Sequence, residues 1–130
     1  MPKSKPPLNE TGRYAYSGLD RLLHERARLS IMTSLMTQPT GLLFNELKKL
    51  CALTDGNLNR HLDALIKAGY LEVWKKQDSI RSQTLYRVTT NGRQSYLAYL
   101  HELERLVKDA MPTKAATLVH QPLPGWEPAS

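Results

Sequence analysis

Cysteine is nearly absent from this sequence: Cys51 stands alone among 130 residues. That excludes an internal disulfide and any multi-cysteine metal site. Long apolar runs are missing too, and none approaches the length needed to span a bilayer. The first 18 residues carry positive charge but no apolar core, so they do not read as a secretory signal. A lone thiol and no signal point to a reducing, cytosolic compartment. Chemistry-bearing motifs are equally scarce. There is no glycine-rich phosphate loop, no HExxH and no GxSxG. His24, His61, His101 and His120 fall in four separate segments, which argues against a histidine zinc site within one chain. Asp55 and Asp63 lie eight residues apart on one exposed helical face, a setting that does not move a pKa toward catalytic values. No enzyme activity, metal or cofactor is expected.

What is present suffices for one domain with tails: 41% of the residues are hydrophobic and the net charge is +6. The charge favours polyanionic partners only mildly. Between residues 55 and 90, Arg60, Lys67, Lys75, Lys76, Arg81 and Arg87 outnumber Asp55, Asp63, Glu72 and Asp78 by two.

The most informative stretch is residues 55–68, DGNLNRHLDALIKA. Leu58, Leu62, Leu65 and Ile66 recur at helical spacing, which makes one apolar stripe. Thr54 precedes it as an N-cap and Gly69 follows as the left-handed terminator. The opposite face carries Asn57, Asn59, Arg60, Asp63 and Lys67, with His61 at its edge. Asparagine can pair with the N6/N7 edge of adenine and arginine with the O6/N7 edge of guanine in a major groove. By itself this stretch is an ordinary amphipathic helix with a solvated face; its neighbours change the odds.

Upstream, Leu22, Leu23, Ala27, Ile31, Met32, Leu35 and Met36 predict a helix over 19–36, stopped by Gln38-Pro39-Thr40-Gly41. Leu42-Leu43 reads as a very short strand. Residues 44–51 predict a second helix with Phe44, Leu47, Leu50 and Cys51 facing inward, where the thiol behaves as a small hydrophobe. Only Ala52-Leu53-Thr54 separates it from the 55–68 helix, a helix-turn-helix connection. Downstream, Tyr70, Leu71, Val73 and Trp74 and then 84–88 predict two strands around the polar loop 77–83, hence a β-hairpin. Lys75, Lys76, Arg81, Ser82 and Gln83 suit phosphate or minor-groove contact there.

Thr89 caps a last helix predicted over 90–111. Leu97, Leu100, Glu104, Val107 and Met111 run along one side, and Tyr96, Tyr99, Leu103, Leu106 and Ala110 along the next. So broad an apolar arc needs more than one neighbour, which implies packing partly on its own domain and partly on a second subunit. The ends read as a disordered basic arm (1–18) and a proline-rich tail (112–130), in which Trp126 could dock on a dimer groove.

The order helix, helix, turn, helix, strand, loop, strand, helix resembles the winged-helix transcriptional regulators, in particular the small MarR-like and ArsR-like cores. The likeness rests on LTDGNLNRHLDALIKAGYLEV (53–73), TLYRVTTNGR (84–93) and LDRLLHERARLSIMTSL (19–35), and it spans 19–111. It implies a mainly α, α+β winged helix-turn-helix of about four helices with a two-stranded wing. In such a fold Thr54, Asp55, Gly56 and Asn57 open the recognition helix, and Asn57, Asn59, Arg60 and His61 approach the major groove, with Lys67 further along. Lys75, Lys76, Arg81, Ser82, Gln83 and Thr84 would form the wing against the backbone. The terminal helices resemble dimerisation elements, placing Leu22, Leu23, Tyr96, Tyr99, Leu103, Leu106 and Ala110 in a homodimer interface. The implied function is a sequence-specific double-stranded-DNA regulator, a repressor. A small-molecule effector would have to sit in a crevice beside the terminal helices, though no residue indicates one. Two departures stand out: the 52–54 turn has no glycine, and the clustered Cys or His ligands of metal-sensing members are missing. The competing reading is a winged-helix adaptor for protein contacts, which would carry apolar or acidic residues where this helix carries Asn, Asn, Arg and Lys.

Overall fold

The computed structural model describes residues 12–76, 82–112 and 122–129. Its elements run α1 (Arg26–Thr37), β1 (Leu42–Leu43), α2 (Phe44–Cys51), α3 (Asp55–Lys67), β2 (Leu71–Lys76), β3 (Gln83–Val88) and α4 (Thr90–Ala110). The strands form one antiparallel sheet in the order β1-β3-β2. The wing hairpin is therefore completed by the two-residue strand, Leu42 pairing with Tyr86 and Leu43 with Leu85. Ile31, Met32 and Leu35 of α1, Leu47 of α2, and Leu58, Leu62 and Leu65 of α3 meet Leu71, Tyr86, Tyr96 and Tyr99 in a single core. No helix among the described residues is long and apolar enough to cross a membrane.

The first helix starts seven residues later than its apolar spacing predicts. Glu25 is its N-cap, with the side chain accepting from the Ala27 N–H at 3.0 Å. Before it, Asp20 accepts from the Leu22 N–H at 2.8 Å and from the Tyr70 hydroxyl at 2.6 Å, so the segment is pinned as turns. Leu23 is fully buried without being helical. Periodicity registered that burial and mistook it for helix.

The segment 12–18, expected to belong to a loose arm, is tied down. Arg13 donates twice to the Asp109 carboxylate (3.1 and 3.2 Å) and the Tyr16 hydroxyl donates to it at 2.8 Å. The Gly18 N–H donates to Glu102 at 2.9 Å. Tyr16 thus docks on its own α4. Residues 1–11 lie outside the described residues. So does most of the tail's connection to α4, and Trp126 within 122–129 is exposed.

Leu50 also departs from expectation: it is 62% exposed rather than inward. Two turns of helix bury Leu47 and half-cover Phe44 and Cys51 along one line, and Leu50 falls beside that line. A backbone lock joins the wing to α4. The Thr89 N–H donates to the Tyr70 carbonyl and its hydroxyl to the Gly69 carbonyl (3.1 and 2.6 Å), while the same hydroxyl caps α4 through the Gly92 N–H. Gly92 lies so near this junction that a Cβ there would sit 2.1 Å from the Tyr70 oxygen.

Candidate nucleic-acid interface

The helix-turn-helix junction is built from backbone. Ala52 adopts φ 53° and ψ 50°, the left-handed conformation, and its N–H together with that of Leu53 closes the end of α2 on the carbonyls of Lys48 and Lys49. Thr54 then caps α3, its Oγ1 accepting from the Asn57 N–H at 3.2 Å. Lys48 of α2 reaches Asp55 at 2.9 Å, placing the carboxylate at the positive end of α3. Thr54 and Asp55, named above as DNA contacts, are exposed and also make the turn.

The outward face of α3 carries Gly56, Asn57, Asn59, Arg60, Asp63 and Lys67, all exposed, over the buried line Leu58, Leu62, Leu65. No atom outside the helix lies within 4 Å of where a Gly56 Cβ would be, so the helix's first turn is open. His61 is the correction. It was placed at the edge of the polar face, but the residue is 5% exposed and its ring points into the domain. Arg28 Nε of α1 lies 3.2 Å from its Nδ1, and Glu25 Oε2 lies 3.2 Å from the same nitrogen. Its other nitrogen is 3.3 Å from Arg60 Nη2. Burial first, then Arg60 and Arg28, hold its pKa below the ordinary value, with Glu25 pulling the other way. The sequence missed this because residue 61 sits on the boundary between the stripe and the polar face.

In the wing, Lys75 and Lys76 end β2 opposite Thr84 and Gln83. Lys75, Lys76, Ser82 and Gln83 are exposed and Thr84 half-buried; Arg81 lies outside the described residues. Ser82, Gln83 and Thr84 also line a crevice of about 390 Å³ with Leu43, Phe44 and Asn45 at the start of α2. Sequence reasoning assigned no role to Trp74, which is 53% exposed beneath the Arg87 guanidinium, 5.5 Å from its ring centre. Strand alternation could have found it, since Glu72, Trp74 and Lys76 must share the face away from buried Leu71.

The dimerisation residues named above divide badly. Leu23, Tyr96 and Tyr99 are buried inside the chain. The Tyr99 hydroxyl meets His24 Nδ1 and the Tyr96 hydroxyl meets Thr33, each at 2.5 Å. Leu22, Leu103 and Leu106 are half-covered, and only Ala110 is open. The uncovered stripe is the other one: Leu97, Leu100, Val107 and Met111 are 43, 38, 46 and 64% exposed.

Three helices, a turn held by a left-handed alanine, a strand-completed hairpin and a closing helix now define the architecture, and residues 27–107 match the winged helix DNA-binding domain family. The chain belongs to that family. An uncharacterized protein of Methanocaldococcus jannaschii is 38% identical to it over 66 residues, 51% of this chain and 72% of that one. Among solved structures, a transcriptional regulator homologue from Pyrococcus horikoshii superposes with a TM-score of 0.64 at 26% identity, over 69% of this chain and 88% of the other. NadR, in complex with 4-hydroxyphenylacetate, superposes with a TM-score of 0.55 at 21% identity, over 84% of this chain and 83% of the other. This winged helix is thus an α+β fold of four helices and a three-stranded sheet.

Proposed function

We propose that this winged-helix protein is a cytoplasmic, sequence-specific regulator of transcription, a repressor, that binds double-stranded DNA as a homodimer. One observation carries the reading: α3 presents an exposed face of Asn57, Asn59, Arg60 and Lys67 whose back is locked into the core. Asn57, Asn59 and Arg60 are assigned to base edges, and Lys75, Lys76 and Arg81 to phosphates. Two subunits would lay their α3 helices in successive major grooves about 10 bp apart. The exposed stripe of α4 supports association, because four large apolar residues in line are seldom left to solvent. Neither the wing nor α3 needs a metal or cofactor for this work.

The test is selection of bound sequences from a random duplex pool. An inverted repeat is the expected product; recovery of no preferred sequence would end the reading. Within the selected site, Arg60→Ala should lose ~1–3 kcal/mol and relax preference at one base pair. An unchanged affinity and preference would remove Arg60 from the base-reading set.

A further inference from the structure

An acidic residue stands in the middle of the face that α3 turns outward. Leu58, His61, Leu62 and Leu65 bury the back of the helix. At 3.6 residues per turn, Gly56, Arg60, Asp63 and Lys67 lie within about 30° of the direction opposite those four, and Asn59 stands about 70° to one side. Asp63 therefore points outward more squarely than Asn59, and around the helix it falls between Asn59 and Arg60. Gly56, two turns earlier on the same line, has open space where a Cβ would be. Asp63 is exposed, and among the described residues no hydrogen bond or ion pair holds its carboxylate. The Arg60 guanidinium is turned to His61 Nε2 at 3.3 Å instead.

In a major groove this placement has a chemical consequence. A helix that brings Asn59 and Arg60 to base edges also brings Asp63 there, about 6 Å further along the axis than Asn59, the rise of four residues. An ionised carboxylate only accepts. Guanine would meet it with two acceptors, and thymine with an acceptor and a methyl group. Adenine offers one amine beside an acceptor nitrogen. Cytosine alone offers an amine with no acceptor of its own. Between two lines of phosphates, a carboxylate that meets no donor loses water and gains nothing, so a mismatch is penalised.

We propose that Asp63 is a specificity-determining residue that selects cytosine, by accepting a hydrogen bond from its N4 amine. The proposal rests on α3 lying in the major groove. Arg60, Lys67 and the wing lysines attract any duplex, whereas Asp63 repels every duplex except where the right base meets it. Its role is to reject wrong sequences more than to hold the right one. Gly56 lets the outward line of the helix come close enough to the base edges for so short a side chain to reach them.

Selection from a random duplex pool, run on the full chain with Asp63→Asn and Asp63→Ala beside the parent, decides it. The parent's sites should hold a cytosine at one position per half-site. Asp63→Asn should change that base to adenine, whose amine and acceptor nitrogen suit an amide, and Asp63→Ala should leave it free; the other positions stay as they were. In titrations, replacing that C·G pair in one half-site should weaken the parent roughly five- to 150-fold and Asp63→Ala hardly at all. On a scrambled duplex at low salt, Asp63→Ala should bind about twofold tighter per subunit, the repulsion of one unit charge across ~10 Å of water. One base preference shared by all three proteins overturns the proposal and leaves the groove reading intact. A uniform gain in affinity with no change of preference also overturns it, placing Asp63 beside the backbone. A parent that selects no sequence ends the groove reading and this proposal together.

Discussion

At the scale of single residues, two positions hold the recognition helix in place and make opposite demands. Ala52 pays a strain of roughly 1–2 kcal/mol for its left-handed backbone, since a Cβ crowds the following carbonyl there. Glycine would relieve that strain but loosen the unfolded chain, so Ala52→Gly should gain about 0.5–1 kcal/mol in denaturant unfolding. A loss would mean that the methyl packs usefully. His61 makes stability depend on pH. Unfolded, it binds a proton near its ordinary value of 6.5; folded, it does so only at lower pH, chiefly because it is buried. The unfolded state thus takes up protons first. His61's contribution is fully present above about pH 6.5 and is lost as the pH falls through that value toward the folded pKa. Glu25, held below its ordinary value because hydrogen bonding to Ala27 and the charges of His61 and Arg28 outweigh its burial, adds a loss at more acid pH. Chemical unfolding from pH 7.5 to 5.5 should show the decline, and His61→Gln should flatten it. A variant that declines as steeply as the parent would place the effect elsewhere.

At the scale of elements, α4 shows most plainly what a sequence can and cannot disclose. Its two apolar stripes, its cap at Thr89 and nearly its whole length were legible, because helical spacing and capping chemistry are local. Which stripe faces inward was not. That choice is made by contacts far away in the chain: Thr33 and His24 satisfy the hydroxyls of Tyr96 and Tyr99, which lets two tyrosines be buried. The same limit explains the false helical start at 19, where Asp20 and Tyr70 set the turn across 50 residues. It explains His61 as well, whose partners Glu25 and Arg28 lie on another helix. The α2–α3 turn and the two strands of the wing were readable, since both follow from spacing and alternation over a few residues. The stripes can be told apart by mutation. Leu100→Glu should leave unfolding close to the parent's and halve the mass seen by sedimentation. Leu103→Glu, which charges a residue packed against the core, should cost roughly 2–4 kcal/mol of stability. If Leu100→Glu kept the parent's mass, the exposed stripe would not be the dimer contact.

At the scale of the whole molecule, a net charge of +6 favours a polyanionic partner only mildly. On the proposed reading, sequence preference comes from α3, while the wing lysines fix register without reading it. The two contributions respond differently to salt. Each phosphate neutralised releases condensed counterion and adds about 0.9 to the slope of log affinity against log salt. Lys75→Ala should therefore weaken selected and scrambled duplexes by the same factor and lower that slope by about one per subunit. Asn59→Ala should leave the slope unchanged and weaken only the selected duplex, by ~1–3 kcal/mol. Titrations at several salt concentrations on both duplexes separate these behaviours. An adaptor that meets proteins through α3 would show neither, because its weak hold on DNA would fall with salt alike for both duplexes and for both variants. If Lys75→Ala altered sequence preference while Asn59→Ala did not, the roles of helix and wing would be exchanged, with the hairpin entering the groove and α3 resting on the backbone.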